Sequence, residues 1–185
     1  MSVCYLPPCP TDCSGSVADV SFIECAPETH YGEVSKLYIV DANFGGFADV
    51  SDPAEWAGLI GDTGDGLIRT LTVIGDLPEA ETTELPISGD RVVYGFKTFN
   101  LSFTIDETND INYAFLRTLE QCPGKFIMWF ETSDGLFFGG DKGIDVSIKL
   151  NMVIPRERTA LLTFVGKATW KALTSPCRIE ESVWY

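Results

Sequence analysis

The sequence holds a single histidine, His30, and this scarcity argues against most nucleophilic catalysis. A serine or cysteine nucleophile needs a positioned base, ordinarily an imidazole. His30 lies in the loop-like run 26–32 with no nucleophile elbow beside it. Basic residues are also scarce: 13 Lys and Arg stand against 27 Asp and Glu, a formal net charge of -14. A field of that sign repels nucleic-acid phosphates and anionic lipid, which disfavours sticky binding to either. No apolar run approaches the ~18 residues of a membrane-spanning helix. Met1 to Pro10 has neither a basic stretch nor a long apolar run, so the expectation is no secretory signal and folding in a cytoplasm.

Catalytic and cofactor signatures are equally thin. Asp62-Thr63-Gly64 occurs once, whereas a proton-sharing aspartyl dyad needs two copies. Asp62 and Asp65 lack the alternating oxygen ligands and closing glutamate of a calcium loop. The run 139–143, Gly-Gly-Asp-Lys-Gly, lacks the Gly-Lys-Ser/Thr ending of a phosphate loop. No carboxylate pair is singled out for glycoside hydrolysis. The expectation is a protein that is not an enzyme and uses no cofactor.

Six cysteines are present, four of them within the first 25 residues. With no secretory signal, reduced thiols are the default. A structural zinc site built from Cys4, Cys9, Cys13 and Cys25 is the sharper alternative, and disulfides formed after release into an oxidising medium are the third reading. Of these only the Cys9–Cys13 pair has knuckle-like spacing, so the four remain weak metal candidates.

Apolar residues make up 45% of the chain, enough for a real core rather than global disorder. Their period is mostly two. Strands are expected at 20–24, 36–41, 67–74, 93–105, 125–132, 136–138, 144–154 and 162–172. In the clearest of them Phe99, Leu101, Phe103 and Ile105 alternate with Asn100, Ser102 and Thr104. Val146, Ile148, Leu150 and Met152 share one face of the next-to-last strand. Phe164, Gly166, Ala168 and Trp170 share one face of the last, and these two strands read as a hairpin. One helix is expected over 109–121, capped by Asp106 or Thr108, with Ile111, Phe115 and Leu119 as its apolar stripe and Pro123-Gly124 as its stop. Glu55 to Ile60 reads as a helical turn.

The segment 75–90 has two prolines, many acids and no period, so it reads as a projecting loop or hairpin. Leu77, Pro78, Glu79, Glu81, Glu84 and Pro86 are the candidate assembly residues there. The fold class is mainly β, a β-rich α+β chain. It is expected to form a β-sandwich or barrel with one flanking helix, a long projecting loop and terminal arms. Residues 1–18 read as an N-terminal arm, 19–174 as a single β-rich domain and 175–185 as a C-terminal arm.

This order of elements resembles the tail tube (major tail) proteins of tailed bacteriophages. The helix over 109–121 between long strands, the loop over 75–90 and the paired strands 144–154 and 158–173 carry the resemblance, which covers about two thirds of the chain. The cysteine-rich start departs from it. The resemblance implies a virion structural protein, with hexameric rings stacked into a tube whose lumen passes DNA without specific binding. Its partners would be other copies of itself and further virion proteins, with no membrane. It would be made in a host cytoplasm and end in the virion. The acidity suits such a conduit, and Asp62, Asp65, Glu79, Glu81 and Glu84 are candidate lumen acids. The competing readings are a capsid decoration or tail-completion protein, and a carbohydrate-binding β-sandwich module that would use Trp56 and Phe44 as exposed aromatics.

Overall fold

Alternating strands of this number must bury one face each, and they do so by closing on themselves. The computed structural model describes residues 32–61, 68–87, 91–121, 125–157 and 159–179. Nine strands and two helices follow in the order β1 (Val34–Asp41), α1 (Pro53–Ala57), β2 (Arg69–Asp76), β3 (Glu81–Ile87), β4 (Arg91–Ile105), α2 (Asp110–Gln121), β5 (Lys125–Thr132), β6 (Phe137–Phe138), β7 (Ile144–Val153), β8 (Thr163–Ala172) and β9 (Arg178–Ile179). The pairings β1-β2-β4-β8-β7-β5 are all antiparallel, and β5 returns to β1. The result is a closed six-stranded antiparallel barrel, which leaves these staves no free edge over their paired lengths.

The barrel interior is the main core. Leu37, Ile39, Leu71, Val73, Leu101, Phe103, Ile105, Met128, Ile148, Leu150, Phe164 and Ala168 meet inside it. The period-two faces expected for β4, β7 and β8 therefore point inward as read. Gly166 makes room for this packing. A Cβ there would stand 2.8 Å from Leu150 Cδ1 and would collide with the Phe103 ring, which lies across the glycine. Gly166 and Phe103 are also cross-strand partners in the β4–β8 ladder.

Helix α2 packs on the same core through Leu116 and Leu119, with Phe115 partly buried. The expected stripe is thus rotated: Ile111 is 70% exposed, and Leu116 takes the inward place. The reason is geometric. Positions i+3 and i+4 face the same side of a helix, so Leu116 and Leu119 form a pair as good as Phe115 and Leu119. The cap also differs from expectation. Asn109 Oδ1 accepts from the Asn112 backbone N–H at 2.9 Å, so Asn109 is the N-cap rather than Asp106 or Thr108.

A second core lies outside the barrel, against β1 and β5. Tyr38, Val40, Ile127 and Trp129 face it from the staves, and Phe47, Val50, Trp56, Ile68, Phe137 and Ile179 cover them. The covering chain 42–60 reads as loop up to Pro53, because Gly45, Gly46, Asp49, Asp52 and Pro53 interrupt it, with a helical turn after it, yet it is pinned. Asp141 accepts from Phe47 N through its carbonyl at 2.8 Å and from Val50 N through Oδ1 at 3.1 Å. Trp129 Nε1 donates to the Gly140 carbonyl and Trp56 Nε1 to the Val50 carbonyl, both at 2.8 Å. The run 139–143 is a clasp for this layer, and Gly143, at φ +68°, would bring a Cβ to 2.7 Å from Trp129 Cζ2.

The C-terminal stretch joins the same layer. β9 pairs with β6, and the Cys177 carbonyl accepts from Gly139 N at 3.0 Å. Cys177 is disulfide-bonded, which overturns the expectation of reduced thiols at this position. The first strand expected at 20–24, the arm 1–18 and residues 180–185 lie outside the described residues.

Candidate assembly surface

Residues 75–90 are mostly strand rather than loop. After Asp76, among the described residues of the segment, 77–80 are irregular, and β3 then pairs with β4. The sequence left hairpin and loop open here because Glu81-Thr82-Thr83-Glu84-Leu85-Pro86-Ile87 has no alternation. Its order comes from the ladder that β4 supplies. Proline is tolerated there because β3 is an edge strand, with no second neighbour among the described residues.

The predicted assembly residues fall into two groups. Leu77 is half-buried and packs, with Ala80, against the barrel core. Pro78, Glu79, Glu81, Glu84 and Pro86 are exposed. Leu77 is thus partly buried at the margin of the barrel core. Glu81 stands opposite Thr98, within the length of β4 that also pairs with β8, and Glu84 opposite Tyr94 on the overhang; three residues apart on one strand, the two carboxylates point to opposite faces. The register shifts between Thr82 and Glu84, a bulge that adds local twist.

β4 is longer than the barrel needs. Its 15 residues pair with β8 from Lys97 to Ile105, whereas Arg91–Phe96 pairs with β3 alone. A two-stranded ribbon thus runs about 20 Å past the staves. Both of its outer edges are unpaired among the described residues. Tyr94 is 68% exposed and Phe96 58% exposed on it. Leu173, just past the end of β8, is 64% exposed, and continuation of the register sets it opposite Phe96.

At the ribbon's root a cavity of about 540 Å³ opens at the barrel end away from α2, lined by Val34, Leu77, Ala80, Phe99, Phe130 and Phe138 among others. The other sequence candidates do not gather here. Trp56 is fully buried, and Phe44 packs edge-on against Phe47 and Trp129, so neither forms an exposed sugar-stacking platform. Cys4, Cys9, Cys13, Cys25, His30, Asp62 and Asp65 lie outside the described residues. Among the described residues no cluster of His, Cys, Asp or Glu could hold a metal ion. No helix among them is long and apolar enough to cross a membrane.

The outward faces of the barrel are unequal. That of β1 and β5 is covered by the second core. That of β4, β8 and β7 is covered by no other described residues, and carries Thr98, Asn100 and Ser102 on β4, Val165, Lys167, Thr169 and Lys171 on β8, and Ser147, Lys149, Asn151 and Val153 on β7. Thr169 Oγ1 donates to Asn100 Oδ1 at 3.1 Å across it. No protein-family model matches the sequence, and no curated protein matches it.

Proposed function

We propose that the protein is a self-assembling structural subunit, a virion tail tube protein whose copies form rings that stack around an acidic lumen for DNA passage. The observation that carries this reading is the β3–β4 ribbon. A closed barrel satisfies its own backbone, yet this one extends β4 into a ribbon with two open edges and exposed aromatic side chains. Unpaired strand edges are templates for pairing with another chain, and isolated two-stranded ribbons are marginal in water. Such an extension is stabilised when a neighbour covers it. The net charge of -14 supports a surface that phosphates pass without adhering.

The test is light scattering coupled to size exclusion, with negative-stain electron microscopy of the purified full chain across a concentration series. Rings and tubes are the expected result. A monomer that persists at every concentration overturns the assembly reading.

A further inference from the structure

Among the described residues the barrel has one end plugged and one end open. Helix α2 packs on the core at the end where β4 finishes and β8 begins, with Ile105 opposite Phe164. At the other end lies the cavity of about 540 Å³, with Phe99, Phe130 and Phe138 in its wall. An uncovered apolar hollow of this kind marks a place where something docks. Gly32, just before β1, lines it, and so do Ser175 and Pro176, just before Cys177. Both stretches are anchored. The Glu33 carbonyl accepts from Ser133 N at 2.9 Å and from Ser133 Oγ at 3.1 Å. The Cys177 carbonyl accepts from Gly139 N at 3.0 Å.

The disulfide of Cys177 shows where a further segment is tied. Its partner is one of Cys4, Cys9, Cys13, Cys25 and Cys122, all outside the described residues. The Cα atoms of a bridged pair stand no more than ~7 Å apart. Cys122 is one peptide beyond Gln121, the last residue of α2, so it belongs to the plugged end. Between that end and the cavity end, β8 runs from Phe164 to Ala172, about 27 Å of strand. Cys122 is therefore out of reach, which leaves the four N-terminal cysteines. Cys25 is the nearest of them to Gly32 along the chain. Residues 25–31 extend up to about 25 Å, enough to cross the cavity mouth. A bridge from Cys4, Cys9 or Cys13 would close a longer loop at a higher entropic cost.

We infer that Cys177 is bridged to Cys25, and that residues 25–31 form a strap seated on the cavity at the open end of the barrel. Pro27 and Tyr31 supply apolar surface to its wall, and Pro27 favours extended chain at Ala26. The bond forms by exchange with a small-molecule disulfide. One protein thiolate displaces a first small thiol, the other attacks the mixed disulfide, and a second small thiol leaves. Two protein thiols are oxidised, one external disulfide is reduced, and the two thiol protons end on the released thiols. The barrel is thus closed by packing at one end and by a redox-sensitive link at the other. The inference does not depend on subunit assembly.

Peptide mapping of the unreduced full chain tests the bridge. Trypsin with a glutamate-specific protease cuts after Glu24, Glu28, Lys171 and Arg178, and so separates Cys25 from the other N-terminal cysteines. The peptide 172–178 should be found joined to 25–28 in the monomer. Its recovery free, or joined to a peptide holding Cys4, Cys9, Cys13 or Cys122, overturns the assignment, as does a bridge found only between two chains. Binding of the dye anilinonaphthalene sulfonate, which lights up on exposed apolar surface, tests the strap. The oxidised protein should give a weak signal. Reduction of the folded wild type, and Cys25→Ser, should each raise it several-fold while the circular dichroism of the barrel is kept. An equal signal before and after reduction overturns the strap. A signal that falls with rising protein concentration and not with oxidation assigns the cavity to a second copy of the chain, and also overturns it.

Discussion

Phe103 and Gly166 show how tightly single side chains are specified. The Phe103 ring occupies the space that any Cβ on residue 166 would enter. Gly166→Ala should therefore destabilise the barrel by about 1–3 kcal/mol through overpacking, and Phe103→Ala by about 3–5 kcal/mol through the cavity left behind. Chemical denaturation checks both, and the two changes combined should cost less than their sum, because each relieves the other's defect. On α2, Leu116→Ala should cost about 2–5 kcal/mol, and Asn109→Ala about 1 kcal/mol through loss of the cap. Ile111→Ala should stay within about 0.5 kcal/mol of wild type, as an exposed position does. The sequence made Ile111, Phe115 and Leu119 look like one stripe because any i, i+4, i+8 series fits a helix. Only the barrel beneath decides which of two adjacent series turns inward.

Strands with strict alternation were legible as elements, and so were the apolar or β-branched runs that became β1, β2, β5 and β6. β4, β7 and β8 declare their buried faces in every second residue, and a half-wet sheet has no other way to pack. β3 declares nothing, since both its faces are polar along most of its length and its partner alone holds it extended. The chain 42–60 was obscured for a different reason: glycines and acids mark a loop correctly, but Phe47, Val50 and Trp56 within it form the second core. Closure of the barrel is a pairing of β1 with β5, distant in sequence, and no local pattern encodes it. Lys149 and Lys167 were readable as solvent-facing, but their direct opposition across β7 and β8 depends on a register that only the folded pairing shows. A prediction at this scale concerns the ribbon. Tyr94→Ser with Phe96→Ser should leave the melting temperature of the monomer unchanged, because both side chains are exposed, and should lower the assembled fraction seen by sedimentation. Leu77→Asp should act in the opposite order, unfolding the barrel end before any effect on association can be read.

For the whole molecule, two features set the response to solution conditions. Subunits of like net charge repel at long range, and this repulsion fades as the Debye length falls from ~30 Å at 0.01 M to ~8 Å at 0.15 M salt. Association should rise over that range. Sedimentation across a salt series reads that rise. The disulfide at Cys177 is the other feature. Of six cysteines, two at least are consumed by one bridge, so thiol titration of the denatured, unreduced protein should find no more than four free. Reduction should lower stability by about 2–4 kcal/mol, the usual contribution of a bridge, measured as a fall in the unfolding midpoint.

The continuity of β4 has a mechanical side. One strand serves as both ribbon and stave, with no turn or hinge between Arg91 and Ile105. The hydrogen bonds joining it to β8 run perpendicular to its axis. A pull on the ribbon tip along that axis therefore loads the whole β4–β8 ladder in shear, and its bonds must yield together rather than unzip one by one. In the proposed assembly, a subunit built this way would transmit tension from its neighbour into the barrel wall, and the joint between subunits, not the wall, would part first.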